Sequence, residues 1–432
     1  MKKTDILYLV IIMLIIYAFF SMFVNSDPIQ NNYKTSEIGD SFVESSSYHI
    51  SIGNVADLPD EIHNENGSYH DLISDDNTVQ VNAEPSINAR SAAVIDFETG
   101  TLLYTKNAFS KRPMASTTKI MTAIVALENC SLDEDVLISK RAAGMGGSVM
   151  GIKAGTTVKL NDLLHGMLIC SGNDAAVAIA EHIGGSIEGF SEMMNKKAIE
   201  IGAFSTSFSN PHGLDTENHY STAYDLAKIA RYALKIPEFD EIVRKREFYF
   251  NGRTLRSTNE MLDLYDGADG IKTGYTGLAG RCLVTSATRE GMRLISVVLF
   301  CDTKNLRTSS SMKILDYSFA EYDRVKLLDK GAIFGSINVK RSRTSQEIEL
   351  SASSDVLAVL RHDQKDSLFT RVSIPQTVTA PVKKGSIMGT VSVYQGDRII
   401  AETSLIAMDS AEKKELKDYI KQVIIEWTKI SG

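Results

Sequence analysis

Apolar residues are spaced differently in successive stretches of this chain, and each spacing predicts a different kind of structure. Residues 6–24 are an almost unbroken apolar run in which Ser21 is the one small polar residue. A helix of about 20 apolar residues spans a bilayer core. Lys2 and Lys3 ahead of it favour a cytoplasmic start by the positive-inside rule. A retained anchor over 1–24 and a cleaved secretory signal both fit. A signal's apolar region is shorter, about 7–15 residues, and the plausible cleavage point here is Val24-Asn25-Ser26. Either way, the remainder of the chain is expected outside the cytoplasm, in the cell envelope.

Residues 25–87 are rich in Asn, Ser and Asp and hold no sustained period, which predicts an acidic, mostly disordered tether. The other reading is that its short apolar pieces, around Ile50, Ile52 and Val55, pair as a strand. From residue 89 the texture changes. Residues 92–96 and 101–104 flank Phe97-Glu98-Thr99-Gly100 and read as a β-hairpin. Helical periods follow over 116–127, 160–168, 173–183, 190–201 and 223–234, then strand-like runs over 281–288 and 292–300. Strands at both ends with helices between predict an α+β domain over 88–322. Residues 323–408 alternate apolar and polar positions between Gly-containing turns, which predicts a small all-β, sandwich-like domain. In 409–432, Leu416, Ile420, Val423, Trp427 and Ile430 recur every four or three residues, an amphipathic helix. A membrane-surface helix would seat Trp427 at the interface. Its charges from Asp409 to Lys429 cancel, five against five, so no basic pull toward lipid adds to that. Docking on the β domain or self-association is the alternative.

Composition narrows the class. Apolar residues at 43% and charged residues at 23% are the proportions of a globular chain. The net charge of −8 argues against a nucleic-acid binder, which needs a basic face. Residues 25–87 carry twelve acids and one base, so the acidity belongs to the tether and the folded part is nearly neutral. Four cysteines in 432 residues are too few for a disulfide scaffold. Cys130, Cys170, Cys282 and Cys301 lie in or beside apolar runs and read as free, buried thiols. A hairpin turning at Glu290 sets residue 282 opposite about 298, not 301. Cys170, next to Ser171, would make its surroundings oxidation-sensitive. His165 and His182 sit in helical patterns and read as packed or surface residues. No Cys, His, Asp or Glu cluster has zinc spacing, so neither a metal nor a cofactor is expected.

Three short motifs carry candidate chemistry. Ser116-Thr117-Thr118-Lys119 is an S-x-x-K that opens an apolar helical run. Positions three apart on a helix share a face. A serine hydroxyl becomes a nucleophile only when a nearby base takes its proton. A lysine can be that base only if burial or another cation lowers its pKa. Ser171-Gly172-Asn173 is an S-x-N between two apolar helices, where a short loop can push a hydroxyl and an amide into a cleft. Lys272-Thr273-Gly274, followed by Tyr275-Thr276, occurs once and leads into a hairpin. Glycine there lets another backbone approach, as when a peptide adds to a sheet edge. The first two motifs recur elsewhere in the chain, so each alone is weak. An N-cap serine, a helix cap and an ordinary turn are their structural readings.

Order and separation say more. S-x-x-K, then S-x-N 55 residues later, then K-T-G 101 residues after that, is the motif set of penicillin-binding proteins and serine β-lactamases. With S-G-N in the middle, Lys272-Thr273-Gly274-Tyr275-Thr276, and Asn210-Pro211-His212-Gly213-Leu214 between them, the chain resembles the low-molecular-weight serine D-alanyl-D-alanine carboxypeptidases over about residues 89–405. Pro381-Val382-Lys383-Lys384-Gly385 and the strands after it resemble that family's C-terminal module.

The resemblance implies a transpeptidase-type fold, an antiparallel sheet plus a helical cluster, shared with penicillin-binding proteins and serine β-lactamases. It implies that Ser116 attacks the D-Ala-D-Ala bond of a peptidoglycan stem peptide to give an acyl-enzyme, with Lys119 as general base. Ser171 would relay a proton to the leaving amine and Asn173 would line the cleft. Lys272 would keep the surroundings electropositive, favouring a neutral amine on Lys119. The backbone N–H groups of Ser116 and Tyr275 would form the oxyanion hole, with Tyr275 where relatives often carry histidine. Thr273, Thr276 and Arg307 would bind the terminal carboxylate beside Gly274. The other reading of Arg307 is a solvated surface arginine. β-Lactams are implied as covalent inhibitors, and the membrane as a partner through the N-terminal segment and the C-terminal helix. A β-lactamase would carry an E-x-x-L-N glutamate, which this sequence lacks. A D,D-endopeptidase acting on cross-links and a non-enzymatic wall scaffold are the alternatives.

Overall fold

The computed structural model describes residues 47–51, 83–362 and 368–430. The apolar run at 6–24 and most of the 25–87 segment lie outside them. Among the described residues no helix is long and apolar enough to cross a membrane.

An antiparallel five-stranded sheet forms the middle layer of the first domain. Its spatial order is Leu102–Lys106, Ser91–Asp96, Met292–Cys301, Gly280–Arg289, Ala268–Thr276. The central strands are apolar on both faces because helices cover both. Helix Lys304–Glu321 packs on one face, around Leu294, Val298, Ile314 and Leu315. Helix Ala223–Ala233 and the helical lobe pack on the other, around Ile95, Ile295 and Val297. The expected hairpins form. Leu283 lies opposite Val298, one position from expectation, and a bulge between Val298 and Cys301 sets Arg281 against Cys301. All four cysteines are free; Cys282 and Cys301 are buried as expected, whereas Cys130 and Cys170 are only half-buried.

The helical lobe is built around Asn173–Gly184, which is buried at every position from Asn173 to Ala180. Ala175, Ala176, Ala178 and Ala180 keep that helix narrow, so Lys119–Asn129, Leu160–Ile169 and Ile187–Ile201 can approach it closely. The expected helix at 116–127 begins differently. Ala115–Thr118 is a 3-10 turn and the α-helix starts at Lys119. The cause is local. The Thr117 and Thr118 hydroxyls donate back to the Met114 and Ala115 carbonyls at 2.7 and 2.8 Å, tightening the turn. The helix read at 190–201 starts earlier, at Ile187, because Ser186 caps it by accepting the Gly189 N–H.

The second domain is a seven-stranded sheet. Its order is Ser47–Ser51, Leu368–Ser373, Ile387–Gln395, Arg398–Ala407, Glu347–Ala352, Ile333–Lys340, Thr377–Thr379. A ribbon of Tyr322–Leu328 and Val356–Arg361 adjoins it, and Ile337, Leu350, Val391 and Leu405 fill its core. The strand Ser47–Ser51 matches the other reading of 25–87, in which a short piece around Ile50 pairs as a strand. It pairs antiparallel with Leu368–Ser373 and covers what would be a bare sheet edge. Helix Leu416–Ile430 forms, but Leu416, Val423 and Trp427 are 65–78% exposed, so its apolar face does not dock on the β domain.

Candidate active site

The three motifs meet between the helical lobe and the edge strand Ala268–Thr276. The 3-10 turn carries Ser116, and the first residue of the following helix carries Lys119, whose whole side chain is buried. Lys119 Nζ has three neighbours: Ser116 Oγ at 2.9 Å, Asn173 Oδ1 at 2.7 Å and the His212 carbonyl at 2.7 Å. Asn173 is held by its own Nδ2, which donates to the Gly146 carbonyl at 2.8 Å, and by its backbone N–H on the Ser148 carbonyl. The next residue, Asp174, accepts from the N–H groups of Met150, Gly151 and Ile152, tying that loop to the helix start. Ser171 is buried in the left-handed region, φ +66°, at the turn between the two helices. This is a strained position for a residue with a Cβ.

Gly274 lets the edge strand lie against the turn that carries Ser116. A Cβ on it would meet the Ser116 nitrogen at 3.1 Å and the Met114 carbonyl at 3.0 Å. Gly213, at φ +89°, is required more strictly: a Cβ there would sit 1.9 Å from the Ala115 carbonyl. Lys272 is fully buried and donates to the Thr273 carbonyl at 3.1 Å. Thr273 Oγ1 is 2.7 Å from Thr258 Oγ1. Thr276 Oγ1 donates to Asp215 at 2.7 Å. Tyr275 is exposed, and the Arg281 guanidinium stacks 3.6 Å from its ring centre.

Arg307 lies in the first turn of Lys304–Glu321 and is 3% exposed, which excludes the solvated surface reading. Its guanidinium donates to both Glu260 oxygens, at 2.5 and 2.6 Å, and Thr308 Oγ1 donates to the same carboxylate. Burial opposes the Glu260 charge, but Thr308 and Arg307 outweigh it and hold the carboxyl below its usual range. Arg307 Nε has no partner among the described residues.

Electrostatics follow from dryness and from two cations sharing a site. Burial, and then the Lys272 charge, push Lys119 well below the ordinary lysine range. Burial lowers Lys272 to about 7, and Arg307 acts in the same direction. An ammonium on Lys119 could donate to all three neighbours. A neutral amine has two N–H bonds and one lone pair. The Asn173 oxygen and the His212 carbonyl can only accept, so they take both N–H bonds and leave the lone pair facing the Ser116 hydroxyl.

Several contributors have no signature in the motifs. His212 contributes its backbone carbonyl; burial first, and then the nearby Lys119, depress its imidazole to about 3. His219 is lowered by burial to about 4 and lies 2.8 Å from Thr118 Oγ1, bracing the turn that carries Ser116. Asp215 and Glu260 hold Thr276 and Arg307. Burial raises the Cys170 thiol pKa, and its Sγ donates to the Gly166 carbonyl at 3.1 Å; a thiol kept protonated is a poor oxidation target, against the sensitivity expected there. His165 stacks on Phe248 and is a packed residue. Away from this cleft, Cys130, Glu134 and His182 converge, a donor cluster that local spacing did not predict.

A serine facing a desolvated lysine, beside an edge strand carrying a second buried lysine, is an arrangement suited to serine–lysine acyl transfer. Comparison with known proteins makes the class particular. The D-alanyl-D-alanine carboxypeptidase family profile matches residues 78–303, and that of the penicillin-binding protein 5 C-terminal domain matches 322–413. The D-alanyl-D-alanine carboxypeptidase DacF of Bacillus subtilis is 35% identical over 358 residues, 80% of this chain and 92% of its own. DacC of Escherichia coli is 35% identical over 343 residues, 76% of this chain and 86% of its own. The crystal structure of penicillin binding protein 5 from Haemophilus influenzae matches with a TM-score of 0.69 at 32% identity, covering 77% of this chain and 99% of that one. The chain belongs to the D-alanyl-D-alanine carboxypeptidase family.

Proposed function

We propose that this chain removes the terminal D-alanine from peptidoglycan stem pentapeptides through an acyl-enzyme on Ser116. One observation carries the assignment of roles. Lys119 Nζ, desolvated and fixed by two pure acceptors, presents its free valence to Ser116 Oγ at 2.9 Å. The Ser116 proton passes to Lys119 as Oγ attacks the carbonyl between the two D-alanines. A general base so placed contributes about 10²–10⁴ in rate. The oxyanion forms against the Ser116 and Tyr275 N–H groups, which Gly274 lets approach; one such donor is worth about 3–4 kcal/mol. Ser171 relays a proton to the departing amine, D-alanine leaves, and water hydrolyses the ester.

Thr273, Thr276, Lys272 and Arg307 receive the substrate carboxylate, with Arg307 held in place by Glu260. Residues 88–322 are the catalytic domain, and 323–408 set it at a distance from whatever anchors the chain. The substrate class puts the site of action in the cell envelope. The apolar run at 6–24 and the exposed apolar face of helix Leu416–Ile430 support attachment to its membrane. β-Lactams, whose strained amide presents the same carbonyl and carboxylate, acylate Ser116.

The test is D-alanine release from an N-acylated L-Lys-D-Ala-D-Ala peptide by the full chain. Release is expected, with none from Ser116→Ala. Cleavage of cross-linked muropeptides without release from the pentapeptide would replace this reading with an endopeptidase. Folded protein that cleaves neither would make it a wall scaffold.

A further inference from the structure

The far ends of the two site-bearing helices carry a second cluster. Cys130 caps the C-terminus of Lys119–Asn129, and His182 lies in the last turn of Asn173–Gly184. Glu134, from the loop after Cys130, reaches both. One donor atom from each of Cys130, Glu134 and His182 falls within 4.8 Å of the others, and His182 Nε2 is 3.1 Å from Glu134 Oε2. We propose that these three side chains bind a divalent zinc-class metal ion, with water completing the tetrahedron.

Four observations support this. The spacing is close to that of a loaded site. Zinc bond lengths to nitrogen, oxygen and sulfur put tetrahedral ligand atoms about 3.3–3.7 Å apart, so a contraction of about 1 Å suffices. The donor set is one sulfur, one imidazole nitrogen and one carboxylate oxygen, which selects zinc-like ions over the all-oxygen preference of magnesium or calcium. Thiolate and carboxylate together bring two negative charges, which neutralise the cation. Glu134 is already oriented: Oε1 accepts the Ser131 N–H at 2.7 Å, leaving Oε2 directed at His182, and the loop is pinned by Leu160 N–H on the Glu134 carbonyl.

The location favours a cation independently. Two helix C-termini meet here, and each presents the negative end of its dipole. When the metal binds, the Cys130 S–H bond breaks, a sulfur–metal bond forms, and the proton goes to solvent. His182 is exposed, which gives the ion and its water a path. The helix Lys119–Asn129 is 11 residues, about 16 Å, so the ion lies far from Ser116 and acts as a clamp between two helix ends.

Cobalt(II), added to the full chain purified free of metal, is the probe. One equivalent should bind and produce thiolate-to-cobalt absorption, and zinc should displace it. Cys130→Ser should abolish the absorption. His182→Gln, at an exposed position, should weaken zinc binding by more than about tenfold, the least that losing even an outer partner of a ligand costs. D-alanine release should be unchanged in both. No stoichiometric binding, or undiminished thiolate absorption in Cys130→Ser, would overturn the proposal. Should Cys130→Ser fail to fold, unaltered zinc affinity in His182→Gln would overturn it equally.

Discussion

At their N-terminal ends, helices Lys119–Asn129 and Asn173–Gly184 bring Lys119 Nζ within 2.7 Å of Asn173 Oδ1, both out of contact with water. At their C-terminal ends the same helices bring Cys130 and His182 together at the surface, beside Glu134. The packing that aligns the helices is common to both ends, and hydration is what separates them. The dry end works against charge on Lys119: burial and a neighbouring cation both penalise its ammonium and lower its pKa. The wet end tolerates charge and gathers anionic and imidazole donors where helix dipoles point their negative ends. One pair of helices thus carries the proposed acyl-transfer groups at one end and the proposed cation site at the other.

Substitutions should separate the two ends by size of effect. Ser116→Ala removes the nucleophile and should lower D-alanine release on the order of 10⁶-fold, read as kcat on the acylated tripeptide. Lys119→Ala removes the base and should slow acylation about 10²–10⁴-fold, read with a fluorescent β-lactam. Glu260→Gln leaves the Arg307 guanidinium buried and uncompensated. It should lower stability by about 3–5 kcal/mol, the usual cost of breaking a buried pair from one side, measured by urea unfolding. Cys130→Ser, at the wet end, should change metal-free stability by less than about 0.5 kcal/mol and leave D-alanine release unchanged. A large activity loss there would break the comparison.

The sequence made the dry end legible and the wet end nearly illegible, for physical reasons. Ser116 and Lys119 are three residues apart, so their contact is local. Asn173 and Lys272 are distant, but the motifs fall in a fixed order along one fold. The helix and strand periods gave the sheet and the helical lobe, with errors where side chains rewrote the backbone. The hydroxyls of Thr117 and Thr118 tightened a helix start into a 3-10 turn. His212 lies in the Asn210–Leu214 stretch that carries the resemblance, but the use of its carbonyl is invisible in sequence because any residue supplies one. Glu260 and Arg307 are 47 positions apart, and no period connects them. Cys130 and Glu134 are close in sequence, but His182 joins them only through the packing of two helices. The strand Ser47–Ser51 is short and polar, and only the free edge of Leu368–Ser373 gives it a place.

In the proposed mechanism Lys119 acts as a neutral amine beside a second lysine, Lys272, that carries the charge. The direct test is the rate of Ser116 acylation by penicillin as a function of pH. Burial, and then the Lys272 charge, favour the neutral amine on Lys119, so the rate should fall on the acid side as that amine gains a proton. Lys272, lowered to about 7, should lose its charge above that pH and weaken carboxylate binding, giving an alkaline decline. The rate should therefore peak near neutrality. A rate that keeps climbing toward about pH 10, the range of an ordinary lysine, would contradict it.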